Sequence, residues 1–228
     1  MLSVIVPTLN AEAGLPRTLA PLVPAAADGL VRQVVITDGG STDATVMIAD
    51  ETGCDLVSAP RGRGTQLAAG ARHARADWLL FLHADTTLDE GWIREASAFI
   101  EATEAKGRDR AAVFRFRLDD YGFKPWLLER LVAFRCALFA MPYGDQGLLI
   151  SRRLYDEIGG YRPVPLMEDV DLVRRIGRRR LAFLRTAAVT SPERYRREGY
   201  FRRMARNLGC LTLYFLRVPP RVIVRLYG

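Results

Sequence analysis

Leu79 to Thr87 read LLFLHADTT, and this stretch decides how the rest of the chain is interpreted. Leu79–Leu82 form a short apolar run with the length and character of a buried β-strand. His83 ends the run, and the carboxylate of Asp85 follows after one more residue. An unpaired carboxylate is costly at such a position, so Asp85 indicates a binding role. His83, taken alone, is more typical of a hydrogen-bonded core histidine.

Strand and helix signals alternate ahead of this stretch. LSVIVP, QVVITD and DLVSAP predict three earlier strands, with helices between them, and TQLAAGARHARA predicts the helix before the fourth strand. This alternation predicts an α/β fold with a mostly parallel sheet flanked by helices. Ligands of such sheets bind beyond the carboxyl ends of the strands. We therefore expect one crevice to collect the polar residues that follow the strands, namely Thr8, Asn10, Asp38, Arg61 and Asp85.

The second half of the chain is less regular. Residues 89–105 and WLLERLVAFRCALF predict helices, whereas AAVFRFRL and QGLLIS predict strands. Another helix is expected to begin near Glu168 after a Gly/Pro loop. No linker or repeat is evident. We predict one domain over residues 1–195, followed by a C-terminal amphipathic helical extension over residues 196–228 that packs on the domain or on a membrane surface.

The composition is basic, with 33 Lys+Arg against 26 Asp+Glu and a net charge of +7. Arginine supplies almost all of this charge, which is compatible with nucleic acid, anionic lipid or a phosphorylated ligand. Three separated cysteines fit reduced core thiols better than a disulfide framework or a metal site. Neither a cleavable leader nor an apolar span of about 20 residues is evident, so we expect a cytoplasmic protein.

Four short motifs each allow a structural and a functional interpretation. DGGSTDAT (38–45) fits a turn with a helix cap, and equally a nucleotide cradle at a helix N-terminus. RGRG (61–64) fits a solvated loop or a phosphate clamp. GDQG (144–147) fits a tight turn, and the acidic residues of MEDVD (167–171) suit a helix start because of the helix dipole.

Together these motifs are far more specific than any one of them. VIVPTLNAE, DGGSTDAT, RGRGTQLAAGA, LFLHADT, GDQGLLISR and GGYRPVPLMEDVDLVRR follow the order and spacing of the family 2 glycosyltransferases. From Leu2 to about Arg194 the chain resembles that family, and it looks closest to a compact bacterial subgroup with a His-Ala-Asp metal motif. The resemblance implies a GT-A fold, a nucleotide-sugar donor, a divalent cation and inversion at the anomeric carbon.

The resemblance also implies roles for individual residues. Asp85 would hold Mg²⁺ or Mn²⁺ bridged to the donor diphosphate, because hard cations take oxygen ligands. Asp169 would be the base that takes the acceptor proton, with Pro163 and Pro165 stiffening the loop before it. The other implied donor-binding residues are Pro7, Thr8, Asn10, Glu12, Asp38, Gly39, Ser41, Arg61, Arg63, Gln66, His83 and Ala84, with Arg72 as a weaker candidate. Contacts to the acceptor or the donor sugar are assigned to Asp145, Gln146 and Glu168.

Two positions depart from the family's pattern. His83 stands where many relatives have a first Asp, so it cannot supply a second carboxylate to the metal. We expect it to form a hydrogen bond with ribose, phosphate or acceptor. Gly39 stands where many relatives have Asp, so recognition of the base would rest more on Asp38.

Other functional classes are weighed against this one. An aspartyl-phosphate phosphatase is disfavoured because His83 replaces the nucleophilic Asp, and PTLNAEAG is not a dinucleotide-binding glycine motif. A non-catalytic basic protein that binds nucleotide, anionic lipid or nucleic acid stays open, supported by RRIGRRR and ERYRREGYFRRMAR. Nucleic acid is not expected as the main ligand, because no stacking platform or reader motif is evident.

Residues 200–217 show apolar side chains at helical spacing, a stripe of Tyr200, Phe201, Met204, Ala205, Leu208, Leu211 and Phe215. Arg202, Arg203 and Arg206 lie off this stripe. The pattern fits a helix docked on the domain, an interfacial helix on the anionic inner face of the cell membrane, or a helix that pairs two subunits. The acceptor is not identified, and a lipid-linked acceptor stays open, as does a homodimer.

Overall fold

A computed structural model describes residues 1–164 and 166–227. Within these residues, eight strands form a single sheet with the order β3-β2-β1-β4-β7-β6-β8-β5. The strands are β1 (Leu2–Thr8), β2 (Val31–Asp38), β3 (Asp55–Ser58), β4 (Trp78–Phe81), β5 (Thr86–Leu88), β6 (Ala111–Leu118), β7 (Leu148–Ser151) and β8 (Leu181–Thr190).

Helices of very different length cover the sheet and form the C-terminal part of the chain. They are α1 (Leu15–Leu19), α2 (Leu22–Ala27), α3 (Thr45–Glu51), α4 (Arg63–His73), α5 (Trp92–Ala105), α6 (Phe123–Phe139), α7 (Arg152–Glu157), α8 (Glu168–Ile176), α9 (Glu193–Glu198), α10 (Tyr200–Phe215) and α11 (Pro220–Tyr227). In the described part of the chain, no helix is both long enough and apolar enough to cross a membrane.

The strand pairings divide the sheet into two parts. The strands β3, β2, β1 and β4 are all parallel, as the β-α alternation predicts. Beyond them β7 is antiparallel to both β4 and β6, β6 and β8 are parallel, and β5 is antiparallel to β8. The predicted α/β fold with a mostly parallel sheet is therefore confirmed, with the mixed pairings in the second half.

Apolar side chains pack on both faces of the sheet. Along β1, Val4 and Val6 belong to a cluster on one face, and Ile5 belongs to a cluster on the other. Side chains alternate between the two faces of a strand, so a continuous apolar run is what a strand covered on both sides requires. This double coverage keeps the strands buried and leaves their carboxyl ends as the accessible edge.

The C-terminal helices pack on the domain. Tyr200 and Met204 of α10 contact a cluster that includes Phe116 of β6 and Leu128 of α6. Further along, Cys210 and Leu211 pack with residues around the start of α8, in a cluster that also contains Ile223 of α11. The predicted boundary between residues 195 and 196 falls inside α9, and this helix connects β8 to α10 without a linker.

Candidate functional site

A wide crevice of about 540 Å³ opens at the carboxyl ends of β1 and β4 and at the N-terminus of α4. Many of the residues predicted for the donor line this crevice: Pro7, Thr8, Asn10, Arg61, Arg63, Gln66, His83, Ala84 and Asp85. The strand ends thus converge as the sequence predicts. Both arginines of RGRG are among the lining residues, which favours the phosphate-clamp interpretation of that motif over a solvated loop.

A smaller cavity of about 90 Å³ lies next to the crevice. Five residues line both hollows: Arg63, His83, Asp85, Ser191 and Arg194. The smaller cavity is also lined by the predicted acceptor-side residues Asp145, Glu168 and Asp169. His83 and Asp85, the residues that end the LLFLHAD stretch, therefore lie where the wide crevice and the small cavity meet.

The loop after β2 is held by the carboxylate of Asp38, which is buried. Its Oδ1 accepts hydrogen bonds from the hydroxyls of Thr8, at 3.0 Å, and Ser41. Its Oδ2 accepts from the backbone N–H groups of Gly40, at 2.9 Å, and Ser41, at 2.8 Å. Burial alone would raise the pKa of Asp38, but these hydrogen bonds outweigh it and hold the pKa below its ordinary value.

Asp38 is not among the residues that line the crevice, and neither are Glu12, Gly39 and Ser41. The Glu12 carboxylate instead accepts the backbone N–H of Ala44 at 2.9 Å, next to the start of α3. We predicted donor contacts for these four residues, yet their polar groups mainly tie the loop after β1 to the loop after β2. The predicted weaker candidate Arg72 lies on α4 with its side chain exposed, and it does not line the crevice either.

Gly39 has a packing reason that the sequence does not reveal. A Cβ at this position would meet Nε2 of Gln66 at 3.0 Å and its Cδ at 3.2 Å. The Gln66 amide donates to the carbonyl oxygens of Thr8, at 2.7 Å, and Thr37, at 2.8 Å, so it is fixed against the ends of β1 and β2. A side chain at position 39 would require this amide to shift by a few tenths of an ångström, so glycine avoids a tight contact there.

His83 is held in its neutral form. Burial, followed by the positive charge of Arg63, lowers the pKa of His83 to about 3, against the opposing effect of Asp85. A Cβ on Gly144 would meet Nε2 of His83 at 2.6 Å, so the imidazole packs directly against the GDQG turn. A neutral imidazole can accept a hydrogen bond or bind a metal ion with one nitrogen.

Asp85 is the carboxylate best placed to bind a cation. Its Oδ2 lies 3.9 Å from Nη2 of Arg194, a distance too long for a hydrogen bond. Among the described residues, no group of three or more His, Cys, Asp and Glu side chains is arranged to hold a metal ion. Asp85 and His83 therefore do not form a complete protein metal site, and a cation at Asp85 would need further oxygen ligands from a bound molecule.

Asp169 lies in the first turn of α8 and is anchored to the GDQG turn. Its Oδ2 accepts the backbone N–H of Gly144 at 2.8 Å, and its Oδ1 accepts the N–H of Val170 at 2.7 Å. Asp171, two residues later, pairs with Arg175 at 2.6 Å on α8 itself, as expected of a structural first-turn residue. Of the two prolines predicted to stiffen the loop, Pro163 is exposed and Pro165 lies outside the described residues.

Glu168 is buried beside Arg63, with 3.4 Å between its Oε1 and Nη1 of the guanidinium. Burial raises the pKa of Glu168; Arg63 opposes this effect, and Asp169 adds to it. This contact joins the start of α8 to the start of α4. Glu168 therefore links the small cavity to an arginine that also lines the wide crevice.

Asp145 and Gln146 of the GDQG turn have different environments. Asp145 lines the small cavity, and its Oδ1 is buried with no hydrogen-bond partner among the described residues. Burial raises its pKa to about 6; Arg135 opposes this effect, and the nearby carboxylates of Asp169 and Asp85 add to it. Gln146 turns into the core instead, where its amide donates to the carbonyl oxygen of Phe114 at 3.0 Å. The substrate contact of Gln146 stays a prediction, and in this structure its side-chain amide is bound by the backbone of β6.

Two lining residues of the small cavity, Arg203 and Asn207, come from α10 and were not predicted as site residues. Arg203 was placed off the buried stripe, yet it is buried and donates to Glu198 at 2.9 Å. Phe201 and Leu208, which were assigned to that stripe, are exposed. The packed face is thus rotated relative to the prediction, because Arg203, which sequence periodicity assigns to solvent, is buried and pairs with the half-buried Glu198.

The strand-end crevice, with a carboxylate following the last of the parallel strands, is the arrangement of a GT-A domain. The sequence pattern of glycosyl transferase family 2 matches residues 3–147, more than half of the chain. The chain belongs to that family, which confirms the resemblance drawn from its motifs.

Curated relatives and solved structures agree with this assignment. A "PGL/p-HBAD biosynthesis glycosyltransferase" of Mycobacterium tuberculosis is 32% identical, with the match covering 61% of this chain and 60% of the relative. The chain thus spans about three fifths of the curated relatives that it matches.

Solved structures show the same fold at low sequence identity. The crystal structure of S. aureus TarS residues 1–349 superposes with a TM-score of 0.64 at 17% identity, covering 99% of this chain and 69% of that one. Glucosyl-3-phosphoglycerate synthase from Mycobacterium tuberculosis, in complex with Mn²⁺, UDP and glucosyl-3-phosphoglycerate, gives 0.60 at 21%, covering 96% and 81%. The predicted GT-A fold is therefore confirmed.

Proposed function

We propose that the chain is a metal-dependent, inverting glycosyltransferase that moves a sugar from a nucleotide-sugar donor to a hydroxyl acceptor. The observation that carries this proposal is the meeting of two hollows at Asp85, with the Asp169 carboxylate lining the smaller one. Solved structures of the same fold support it, since TarS has been crystallised with UDP and with UDP-GlcNAc, and the mycobacterial synthase with Mn²⁺ and UDP.

The donor would occupy the wide crevice. Arg63 at the start of α4 and Arg61 just before that helix are placed to bind its phosphates, since guanidinium groups match phosphate oxygens well. Asp85 would hold Mg²⁺ or Mn²⁺, with His83 as a neutral neighbour that binds metal or a donor hydroxyl. When bound, the cation would neutralise charge on the departing diphosphate.

Inversion requires a single displacement in which a base acts on the side opposite the leaving group. We assign this role to Asp169. As the acceptor oxygen bonds to the anomeric carbon and the bond to the diphosphate breaks, the hydroxyl proton passes to the Asp169 carboxylate. The backbone N–H of Gly144 holds Oδ2 of this carboxylate in place, at 2.8 Å.

The partners on the acceptor side are proposals of the same kind. We propose that the protein is cytoplasmic and contacts the membrane peripherally through residues 196–228. We also propose that its acceptor is lipid-linked. The alternative role of residues 196–228 is to pair two subunits in a homodimer. A non-catalytic nucleotide-binding protein is the alternative function. Release of nucleoside diphosphate from a nucleotide sugar, at a rate that depends on added acceptor, separates an enzyme from a binding protein.

The first experiment is a thermal-shift panel of UDP, GDP and their sugars, with Mn²⁺ or with EDTA. We expect a nucleotide to stabilise the protein only with the metal, by about 2.7 kcal/mol at a hundredfold excess over its Kd. Asp85→Ala should abolish the shift, whereas Glu90→Ala, an exposed carboxylate after β5, should keep it. Equal stabilisation by nucleotide in EDTA would rule out the metal role of Asp85.

A further inference from the structure

Helix α6 carries a row of large apolar side chains that face away from the domain. Phe123 is 67% exposed, Trp126 51%, Phe134 64% and Leu138 50%. These positions recur every three, four or eight residues, so they lie along one side of the helix. We call this set, together with the exposed Leu131, the α6 face.

The exposure of the α6 face does not come from a loosely attached helix. The opposite side of α6 contributes Leu128, Val132 and Cys136 to a buried cluster with Phe116 and Leu118 of β6. Helix α6 thus has two apolar sides: one is covered by β6, and the other, the α6 face, is exposed. A contiguous exposed apolar surface of this kind marks a contact with another molecule or with a membrane.

The charges around the α6 face are positive. Glu129 is the only acidic residue in the sequence of α6, and its carboxylate accepts the backbone N–H of Leu118 at 2.9 Å, toward β6. Arg130 lies over the ring of Trp126, with 5.6 Å from its guanidinium carbon to the ring centroid. Arg178 donates to the carbonyl oxygens of the last turn of α6, at the other end of the row. Exposed aromatic residues bordered by cations are complementary to anionic lipid headgroups.

The neighbouring helices α10 and α11 also expose apolar side chains. Helix α10 packs beside α6 and exposes Phe201 and Leu208, and α11 exposes Val222 and Leu226. Another side of α10 supplies Arg203 and Asn207 to the small cavity. The apolar helices therefore adjoin the wall of the acceptor-side hollow.

We propose that the α6 face binds the surface of an anionic lipid bilayer, with Phe123, Trp126 and Phe134 entering the headgroup boundary. This goes beyond the contact proposed for residues 196–228, because it assigns the apolar contact to a helix within the catalytic domain. It does not depend on the proposed reaction, so vesicle binding and sugar transfer can succeed or fail separately.

Tryptophan fluorescence tests the proposal in the unmodified protein. Trp78 and Trp92 are each only 2% exposed, and Trp126 is the remaining tryptophan of the three. A blue shift of the emission on addition of vesicles of equal parts phosphatidylglycerol and phosphatidylcholine would therefore report burial of Trp126. We expect this shift at low salt, a smaller one in 0.5 M NaCl at a Debye length of roughly 4 Å, and none with pure phosphatidylcholine vesicles.

Vesicle co-sedimentation of variants assigns the surface. Trp126→Ala/Phe134→Ala should lower partitioning into the anionic vesicles roughly tenfold or more, because two aromatic side chains no longer leave water. Phe183→Ala, which removes an exposed aromatic residue of β8, should bind within about twofold of the unmodified protein. An unchanged melting temperature and nucleotide response in both variants would show that they are folded.

Three results would overturn the proposal. The first is that the intact protein does not bind anionic vesicles. The second is that Trp126→Ala/Phe134→Ala binds as well as the unmodified protein. The third is that light scattering shows the unmodified protein to be a dimer and the double variant to be a monomer, while the unmodified protein shows no blue shift on addition of vesicles. In that last case the α6 face is an interface between two copies of the chain.

Discussion

The wide crevice proposed for the donor and the small cavity proposed for the acceptor are built in different ways. The donor crevice is formed mainly by strand ends of the first half, and its loops are cross-linked by hydrogen bonds such as those that occupy both oxygens of Asp38. The acceptor-side cavity brings together β8, α8 and α10, and it contains a buried oxygen of Asp145 without a partner among the described residues. Buried polar atoms are nearly always bonded, so such an atom marks where a ligand or water completes the site.

This difference in construction indicates that the two sides play different parts in binding and turnover. The loops of the proposed donor side are held by hydrogen bonds within the protein, so a donor would find its proposed phosphate contacts preorganised. The acceptor side holds several ionisable groups in a small volume, where their proton affinities depend on one another. Changes on the donor side should therefore affect affinity and stability, and changes on the acceptor side should affect turnover and pH dependence.

Asp169→Asn is the change with the largest expected effect. Turnover should fall roughly a hundredfold or more, because the amide cannot take the acceptor proton, whereas donor affinity stays nearly unchanged. Steady-state kinetics with an identified acceptor, together with the nucleotide thermal shift, measure the two sides separately. Asp171→Asn is the matched control on the same helix, since Asp171 pairs with Arg175. Near-normal turnover of Asp169→Asn would remove Asp169 as the base.

Asp38→Ala should affect the donor side most. The variant loses hydrogen bonds to a buried carboxylate, and we expect the free energy of unfolding to fall by about 2 kcal/mol and donor affinity to fall with it. Because the pKa of Asp38 is lowered in the fold, this contribution is present above the ordinary pKa of Asp and is lost as the pH falls through the lowered pKa.

Urea unfolding at pH 7 and at pH 3 measures this effect, with Asp50→Ala on the exposed side of α3 as the control. The difference between Asp38→Ala and the unmodified protein should be smaller at pH 3. If the free energy of unfolding falls by the whole expected amount while nucleotide affinity is unchanged, the loop after β2 does not need to be ordered for donor binding.

Asp145→Asn tests the acceptor side through pH. The pKa of Asp145 is raised to about 6, so its stabilising effect is full below the ordinary pKa of Asp and is lost as the pH rises through 6. The amide introduced by Asp145→Asn cannot ionise, so the variant does not lose this stability as the pH rises. Its melting temperature should therefore exceed that of the unmodified protein by roughly 2–4 °C at pH 7.5, and the difference should disappear toward pH 4. A constant difference across this range would contradict the raised pKa.

Arg72→Ala has the smallest expected effect. Its side chain is exposed on α4 and does not line the crevice, so donor affinity should stay within about twofold of the unmodified value. Arg63→Ala on the same helix, whose side chain lines both hollows, should weaken donor binding clearly more. Isothermal titration with the nucleotide found in the thermal-shift panel measures both, and equal losses would contradict the placement of Arg72.

Several features of the fold and site could be predicted from the sequence. The parallel strands β1 to β4, the start of α8 at Glu168 and the convergence of Thr8, Asn10 and Asp85 at one edge all follow from local patterns. The strands β5 and β8 were not predicted. Three residues are too few for a reliable strand signal in β5, and β8 is exposed at alternate positions over its first half and depends on pairing with β6.

Other features were decided only by tertiary contacts. Nothing near Gly39 in the sequence shows that the amide of Gln66 fills the space above it, and the same holds for the core contact of Gln146 with β6. On α10, the buried pair of Arg203 with Glu198 reverses an assignment that periodicity makes from polarity alone. For Gln66 and Gln146, residues distant in sequence accept the hydrogen bonds of the buried amide; for Arg203 the partner is nearby, but its burial comes from packing on the domain.

The sequence by itself determined the family, the α/β order of the first half and the type of chemistry, because apolar periodicity and short motifs are local properties. Only the tertiary structure decided which of the predicted residues line the crevice and which order the loops, as the contrast between Arg63 and Asp38 shows. It also assigned Arg194, Arg203 and Asn207 to the small cavity. The physical reason is that a cavity is formed by surfaces remote in sequence, whose packing depends on contacts that no local pattern encodes.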